Sequence, residues 1–315
     1  MNRRAFCTAI GGSALLGALP RMPFAQSTGQ QVPYSSGTEL PKLKAPPNAC
    51  DCHMHIYDSR FPAAPTATLK PPDALVPDYQ LLQKRIGTTR VVVVTPSTYG
   101  TDNRCTVDAI GKFGTSARGV AVVDTSVSDA ELKSLADAGL RGIRFNLTIG
   151  AVTTPDMIEP LSRRIADLGW HVQLNIAPKQ LLEMQDRLQH LPTPMVFDHL
   201  ARIPLPAGVD DPAFGAVATL IDQGRAWVKL SGVYVGSKVG PPTYADASKV
   251  AEAYVKLAPE RVVWGSDWPH PTEQKEKPDD AVLFDLLATW APDEATRKKI
   301  LVDNPAALYG FPKAS

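Results

Sequence analysis

The sequence predicts an α/β protein folded as a single-domain (β/α)8 barrel of the TIM type. Eight short runs rich in apolar and β-branched residues alternate with segments of helical periodicity. The runs begin about 23 to 40 residues apart, which matches the length of a strand-helix-strand unit. Continuous apolar strands are typical of parallel sheets covered by helices on both faces, and eight such units fill a closed barrel.

The elements follow one another in a regular order. The predicted strands are Cys50–Tyr57, Arg90–Pro96, Gly119–Asp124, Gly142–Leu147, His171–Ile176, Met195–His199, Ala226–Ser231 and Val262–Asp267. Helical patterns between them cover Asp129–Ala138, Asp156–Leu168, Gln180–Leu191, Phe214–Gln223 and Ala245–Leu257. Asp280–Leu308 predicts two closing helices that meet at Asn304-Pro305. An open doubly wound sheet is the alternative, but no G-x-G-x-x-G motif follows the first strand.

The first 25 residues are predicted to be an export signal. Asn2-Arg3-Arg4-Ala5-Phe6 resembles the twin-arginine pattern, an apolar run of small residues spans Cys7 to Leu19, and cleavage is expected after Ala25. We therefore expect export by the twin-arginine machinery to the periplasm; a disordered cytosolic leader or an uncleaved anchor is the alternative. Residues 26–48, rich in Ser, Gly, Pro and Lys, predict an extended arm, and residues 49–315 the barrel.

Charge and cysteine content narrow the classes of partner. The chain has 33 basic and 32 acidic residues, a balance that gives no support for nucleic acid or a membrane surface as partner. No later stretch is apolar enough for a membrane helix. A small molecule is the expected partner. Beyond the signal, Cys50, Cys52 and Cys105 are too few and too irregular for a disulfide framework, so we expect buried free thiols.

Polar residues end almost every predicted strand, at the rim where barrel enzymes bind substrates. His53 and His55 share one face of the first strand, although a lone His-x-His pair is also compatible with structural packing. Asp267 ends the last strand and predicts a general base or metal ligand, with a helix cap as the alternative. His199 predicts a third imidazole ligand or proton donor, or else a core histidine bonded to Asp198. These three imidazoles and one carboxylate would bind a divalent metal such as zinc.

Other polar residues are predicted to hold the substrate. A guanidinium on a buried strand needs a counter-charge, so Arg144 is expected to meet a substrate carboxylate, with an ion pair to Asp124 as the alternative. Ser97 and Asn175 are expected to orient the substrate. Lys229 predicts a structural ion pair inside the barrel. No G-x-S-x-G motif is present, which argues against a serine nucleophile.

Several motifs together resemble the amidohydrolase superfamily. They are C-D-C-H-M-H at 50–55, G-T-D-N at 100–103, G-L-R-G-I-R-F-N at 139–146, D-H at 198–199, V-W-G-S-D-W-P-H-P at 263–271 and N-P at 304–305. The resemblance is closest to the branch containing 2-pyrone-4,6-dicarboxylate lactonase and sugar-acid lactonases. It implies a (β/α)8 barrel acting on lactones, with Asp267 as general base and His53, His55 and His199 around the carbonyl. Metal dependence stays open, because members of this branch are thought to work without a metal.

Departures from that family pattern bear on the substrate. The dicarboxylate lactonase holds its carboxylates with further arginines and a tyrosine, where this chain has Gly150, Val235 and Asn175. The stretch 229–234 resembles galactarolactone isomerase, which lacks the first histidine and has Asn in place of Asp267. We therefore predict hydrolysis of a sugar-acid or aromatic-catabolite lactone by Asp267-activated water. A lactone isomerase, a metal-dependent decarboxylase and a catalytically silent periplasmic binding protein are the alternatives.

Overall fold

The strands form a single parallel sheet that curls into a barrel. The computed structural model describes residues 30–149 and 152–312. Neighbouring strands are hydrogen-bonded in the order of the chain, from the first to the eighth. They are β1 (Cys50–Met54), β2 (Arg90–Val94), β3 (Ala117–Ala121), β4 (Leu140–Asn146), β5 (His171–Asn175), β6 (Met195–Phe197), β7 (Ala226–Leu230) and β8 (Val262–Trp264). The predicted (β/α)8 architecture is confirmed.

Helices cover the outside of the barrel. They are α1 (Val76–Ile86), α2 (Arg104–Phe113), α3 (Asp129–Asp137), α4 (Ile158–Ala166), α5 (Pro178–Gln189), α6 (Pro212–Asp222), α7 (Val233–Gly236), α8 (Ala245–Leu257), α9 (Asp280–Trp290), α10 (Glu294–Lys298) and α11 (Asn304–Tyr309). Within the described part of the chain, none of these helices is long and apolar enough to cross a bilayer.

Alternate residues of each strand face two different cores. On β2, Val91 and Val93 pack against the surrounding helices, whereas Val92 and Val94 pack inside the barrel. This alternation is the two-residue period of a strand, and both faces are apolar because both are buried. Cys50 and Cys52 belong to the interior cluster as free thiols, as the sequence predicts.

The seam between β8 and β1 is closed by bonds just beyond the strands. The Asp267 N–H donates to His53 O at 2.7 Å, and the His55 N–H donates to Trp268 O at 2.8 Å. Gly265 permits this approach, since a Cβ there would lie 2.6 Å from the Cβ of His53. The polar residues at the carboxyl ends of β1 and β8 therefore lie next to each other at this seam.

Most predicted strands extend a few residues beyond the observed ends, and two differences have a clear structural cause. Strand β3 ends at Ala121 rather than Asp124, because the Asn103 side chain bonds both the N–H and the C=O of Val122 and so replaces a neighbouring strand. The closing segment contains α9, α10 and α11, with a π-helical turn at Lys299–Asp303, rather than two helices. The predicted break at Asn304-Pro305 does begin α11.

The N-terminal arm lies against the barrel without regular structure from residue 30 to residue 48. Pro33 O accepts a hydrogen bond from Trp268 Nε1 at 2.8 Å, and Glu39 O accepts one from Arg85 Nε at 2.9 Å. The arm thus contacts the loop after β8 and helix α1. The predicted signal, residues 1–25, lies outside the described residues.

Acid sensitivity is expected from His171, the buried first residue of β5. Burial lowers the pKa of His171 from 6.5 to about 3. The unfolded chain therefore binds more protons between those values, and the free energy of unfolding should fall as the pH drops through this window. Urea unfolding at several pH values between about 7 and about 4 should give a shallower slope for His171→Asn than for the unmodified protein. Equal slopes would contradict the assignment.

Candidate active site

A cavity of about 400 Å³ opens at the carboxyl ends of the strands. Its walls include six of the predicted site residues: His55, Ser97, Arg144, Asn175, His199 and Asp267. The seventh, His53, is fully buried below them. Active groups of (β/α)8 enzymes lie at this end of the barrel, so the cavity is the candidate active site.

His53, His55 and Asp267 meet at the base of this cavity. His53 Nε2 lies 3.3 Å from His55 Nε2, and Asp267 Oδ1 lies 3.5 Å and 3.6 Å from those two nitrogens. A shift of strand register between Asp51 and Met54 turns His53 inward although Cys52 also faces the interior. The three groups form a nearly equilateral triangle of potential ligand atoms.

Hydrogen-bond partners restrict the tautomers of the two histidines. His55 Nδ1 lies 2.7 Å from Val94 O, a carbonyl that can only accept, so Nδ1 carries the hydrogen and Nε2 a lone pair. His53 Nδ1 lies 3.1 Å from both Asp198 Oδ1 and Lys229 Nζ. It can donate to Asp198, which leaves Nε2 free for a cation, or accept from Lys229, which makes Nε2 a donor to His55.

Asp198 is the centre of a buried ion network whose members the sequence pattern did not predict together. Its Oδ2 lies 3.0 Å from Arg144 Nε, and its Oδ1 lies 3.1 Å from His53 and 3.7 Å from Lys229. Two alternatives raised by the sequence, an ion pair between Arg144 and Asp124 and a hydrogen bond between His199 and Asp198, are wrong. Asp124 accepts hydrogen bonds within its own turn from Ser126, and Asp198 makes no hydrogen bond to the His199 ring. The predicted ion pair of Lys229 is confirmed.

His199 opens a left-handed turn after β6. Residues 199–202 have φ between 52° and 55°, a region that L-residues enter only at an energetic cost. His199 Nδ1 lies 3.0 Å from Ser231 Oγ, and its ring centroid lies 4.8 Å from that of His53. The four predicted metal ligands fall into two groups that share His53: His53, His55 and Asp267 form one, and His53 and His199 form the other together with Asp198, which was not predicted as a ligand.

Three polar side chains line one wall of the cavity. Asn146 Nδ2 donates to Ser97 Oγ at 2.9 Å, and Asn175 Nδ2 donates to Asn146 Oδ1 at 3.1 Å. Ser97 and Asn175 thus lie on the cavity wall, and Asn175 Oδ1 is a buried acceptor without a partner among the described residues.

Arg202 is a cavity residue that the sequence prediction missed. It lines the cavity, is only partly exposed, and has no ion pair or side-chain hydrogen bond within the described part of the protein. Arg144, by contrast, is already bonded to Asp198. Val235 also lines the cavity, whereas Gly150 lies outside the described residues. Among the described residues Arg144 uses only its Nε in the bond to Asp198, so the cavity wall carries two guanidinium groups with N–H donors left over, Arg144 and Arg202.

Electrostatics at the base of the cavity favour the ionised form of Asp267. Burial opposes ionisation of Asp267, but His199, His53 and His55 together hold its pKa below the ordinary value. Burial also lowers the pKa of His53 and of His199. A carboxylate that is charged near neutral pH and faces a solvent-accessible cavity can accept a proton.

The position of His199 depends on Gly232, and this dependence can be tested. Gly232 has φ +62°, and a Cβ there would lie 2.6 Å from His199 Nδ1. Gly232→Ala is expected to displace the imidazole and lower kcat/KM at least about tenfold. Gly240 is the matched control, with φ +74° and open space around it. Both variants should lose about 1–2 kcal/mol of stability, but only Gly232→Ala should lose activity. Equal activities would contradict the role of His199.

Known proteins similar to this chain point to one family. A family model described as an amidohydrolase matches residues 50–311. The chain belongs to the amidohydrolase family. The resemblance inferred from the sequence motifs is thereby confirmed, and the protein is an enzyme of this family.

Two curated relatives and one solved structure cover nearly all of this amidohydrolase. A 2-pyrone-4,6-dicarboxylate hydrolase of Comamonas testosteroni is 39% identical over 296 residues, 90% of this chain and 97% of that protein. A D-galactarolactone isomerase of Agrobacterium fabrum is 34% identical and covers 87% of this chain and 94% of its own. An apo crystal structure from Agrobacterium tumefaciens has a TM-score of 0.83 and 32% identity, over 89% of this chain and 99% of that one.

Proposed function

We propose that this amidohydrolase hydrolyses a small lactone, with Asp267 as the general base. The observation that carries the proposal is the position of the Asp267 carboxylate, held 3.5 Å and 3.6 Å from His53 and His55 at the base of the cavity. The names of the relatives support lactone chemistry, since one is a pyrone dicarboxylate hydrolase and another a galactarolactone isomerase. Asp267 and both histidines favour hydrolysis over isomerisation.

The reaction follows from the positions of these groups. Asp267 takes a proton from a water molecule, and the water oxygen attacks the ring carbonyl of the lactone. The neighbouring imidazoles stabilise the negative charge that develops on the carbonyl oxygen. The ring C–O bond then breaks, and Asp267 or His199 returns the proton to the leaving alkoxide. The product is an open-chain hydroxy acid.

The chemistry of the triangle also fits a divalent metal. Zinc bonds of about 2.0–2.2 Å in a tetrahedron place ligand atoms about 3.3–3.6 Å apart, close to the separations among His53, His55 and Asp267. Asp198 beside His53, and Val94 O beside His55, are the partners that orient metal-binding imidazoles. When bound, zinc would polarise the lactone carbonyl and make a nearby water more acidic.

Metal analysis distinguishes a site that binds zinc from a site that works without a metal. We expect metal analysis of the purified protein to find about one zinc per chain, and His53→Ala to lose it. A zinc-free protein with an unchanged rate would contradict the metal form. The alternative is then the tautomer in which His53 accepts from Lys229 and donates to His55.

The cavity indicates a substrate that carries both hydroxyls and an anionic group. The Ser97 hydroxyl and the Asn175 amide lie on the same wall and are groups that bond substrate hydroxyls. Arg144 and Arg202 are the cations on the wall. A partly buried guanidinium favours a carboxylate, to which it can donate two parallel hydrogen bonds. A sugar-acid lactone, or an aromatic-catabolite lactone with a carboxylate, has these groups.

A panel of lactones tests the proposed activity. Acid release, followed with a pH indicator, is expected from lactones with a carboxylate and to be weaker from their neutral analogues. Carbon dioxide release instead would indicate a decarboxylase. Binding without turnover that survives Asp267→Asn would indicate a silent binding protein. Either result would overturn lactone hydrolysis.

We also propose that the enzyme acts in the periplasm after twin-arginine export. The support is the Arg3-Arg4 pair followed by an apolar run. In a Gram-negative host, the protein is expected in the periplasmic fraction, and replacement of both arginines by lysine should retain it in the cytoplasm. If the protein of the double-lysine variant is still found in the periplasmic fraction, twin-arginine export is contradicted.

A further inference from the structure

A hydrogen-bonded chain leads from Asp267 away from the substrate cavity. Tyr234 Oη lies 2.6 Å from Asp267 Oδ2 and 2.9 Å from His270 Nδ1, and His270 Nε2 lies 3.1 Å from Asp280 Oδ2. Tyr234 is on α7, Asp267 and His270 are in the loop after β8, and Asp280 begins α9. The chain therefore joins three separate segments.

The direction of these hydrogen bonds follows from the hydrogens available. The Tyr234 hydroxyl has one hydrogen and donates it to Asp267 Oδ2 at 2.6 Å. The hydroxyl oxygen is then an acceptor, and His270 Nδ1 must carry a hydrogen and donate it. The contact between His270 Nε2 and Asp280 Oδ2 needs a second hydrogen, which one of these two atoms carries.

The far end of the chain fixes the orientation of His270. The His270 ring and the Asp280 carboxylate are both fully buried and lie in contact. Lys277 Nζ donates to His270 O at 2.8 Å, which holds the backbone of the same residue. His270 has φ 54° and Asp267 has φ 63°, so the loop is kept in a conformation that few L-residues adopt. His270 and Asp267 therefore cannot change conformation without breaking these hydrogen bonds.

We propose that Tyr234, itself oriented by His270 and Asp280, is a positioning residue for Asp267. Its hydrogen bond occupies Oδ2, which leaves Oδ1 as the oxygen that faces His53 and His55. Without it, the carboxylate can rotate, and the accepting oxygen leaves its place beside the attacking water. The kinetic consequence rests on the proposed function; the direction of the hydrogen bonds does not.

Kinetics of Tyr234→Phe test the positioning role. We expect kcat to fall about tenfold to a hundredfold, because the base is misplaced, while KM changes by less than about twofold. Tyr254→Phe is the matched control, because Tyr254 is buried and its hydroxyl has no partner among the described residues; its kcat should be unchanged. An unchanged kcat for Tyr234→Phe, in an enzyme that Asp267→Asn inactivates, would overturn the proposal alone.

Variants of His270 test whether the chain acts as a unit. His270→Leu should lower kcat about as much as Tyr234→Phe, and the double variant should be no worse than either, because both break one path. His270→Gln, whose amide can still donate to Tyr234, should recover part of the rate. Additive losses, or a Gln variant no better than Leu, would contradict the chain.

An NMR measurement tests the hydrogen-bond direction without any substrate. In protein labelled with ¹⁵N-histidine, His270 Nδ1 is expected to be protonated, with a downfield ¹H signal that disappears in His270→Leu and shifts in Tyr234→Phe. An unprotonated Nδ1 would mean that Tyr234 donates to His270 instead of Asp267, and would overturn the proposal. If no lactone is hydrolysed but Nδ1 is protonated, the proposed function fails and the hydrogen-bonded chain stands.

Discussion

Replacing Asp267 by asparagine is expected to lower lactone hydrolysis about a hundredfold to ten-thousandfold, with the barrel still folded. The amide has nearly the same shape and can still accept from Tyr234, but it cannot take a proton from water. Initial rates and the far-ultraviolet circular dichroism spectrum would be measured on the same preparation. The loss should appear in kcat, because the base acts only as the bond is made.

The matched control for this substitution is Asp124→Asn. Asp124 also follows a barrel strand, but among the described residues its carboxylate accepts only from the N–H and Oγ of Ser126, in a turn outside the cavity. Its rate should stay within about twofold of the unmodified enzyme. Full activity of Asp267→Asn would exclude this carboxylate as the base, whatever the control shows.

Asp198→Ala is expected to cause the largest loss of stability, about 3–5 kcal/mol in the free energy of unfolding. Burial disfavours its charge, but His53, Arg144 and Lys229 hold the pKa of Asp198 well below its ordinary value. Its removal leaves Arg144 and Lys229 buried without their counter-ion. Urea unfolding at neutral pH would measure the loss.

Two further variants separate this explanation from a general effect of truncation. Asp137→Ala removes one partner of the exposed Lys133 pair and should cost less than about 1 kcal/mol. Adding Lys229→Met to Asp198→Ala removes the uncompensated ammonium and should recover part of the stability. A double variant less stable than Asp198→Ala would argue against Lys229 as the destabilising group.

The barrel could be predicted because its strands are continuous apolar runs at regular spacing. Their boundaries could not, since they depend on side chains elsewhere in the chain. Asn103 ends β3 by bonding Val122, and that contact joins residues 19 positions apart. The left-handed turn at 199–202 was also unpredictable, because no glycine or asparagine signals it. The direction of Arg202 follows from that turn.

The part of the site that could be predicted is the part whose position depends only on where the strands end. His53, His55 and Asp267 converge because β1 and β8 are neighbours at the seam. Asp198 was assigned to His199, although strand alternation carries the better signal. Val196 faces the barrel interior and Phe197 the helices, so Asp198 must face the interior, where His53 lies.

The central claim is that water, activated by Asp267, opens the lactone ring, and oxygen isotope transfer tests it most directly. A lactone that the enzyme converts would be incubated in H₂¹⁸O, and its product analysed by mass spectrometry. Hydrolysis predicts one heavy oxygen in the new carboxylate, formed by the unmodified enzyme and by Asp124→Asn but not by Asp267→Asn. Conversion to an isomeric lactone without isotope incorporation would contradict hydrolysis and show that an alcohol of the substrate is the nucleophile.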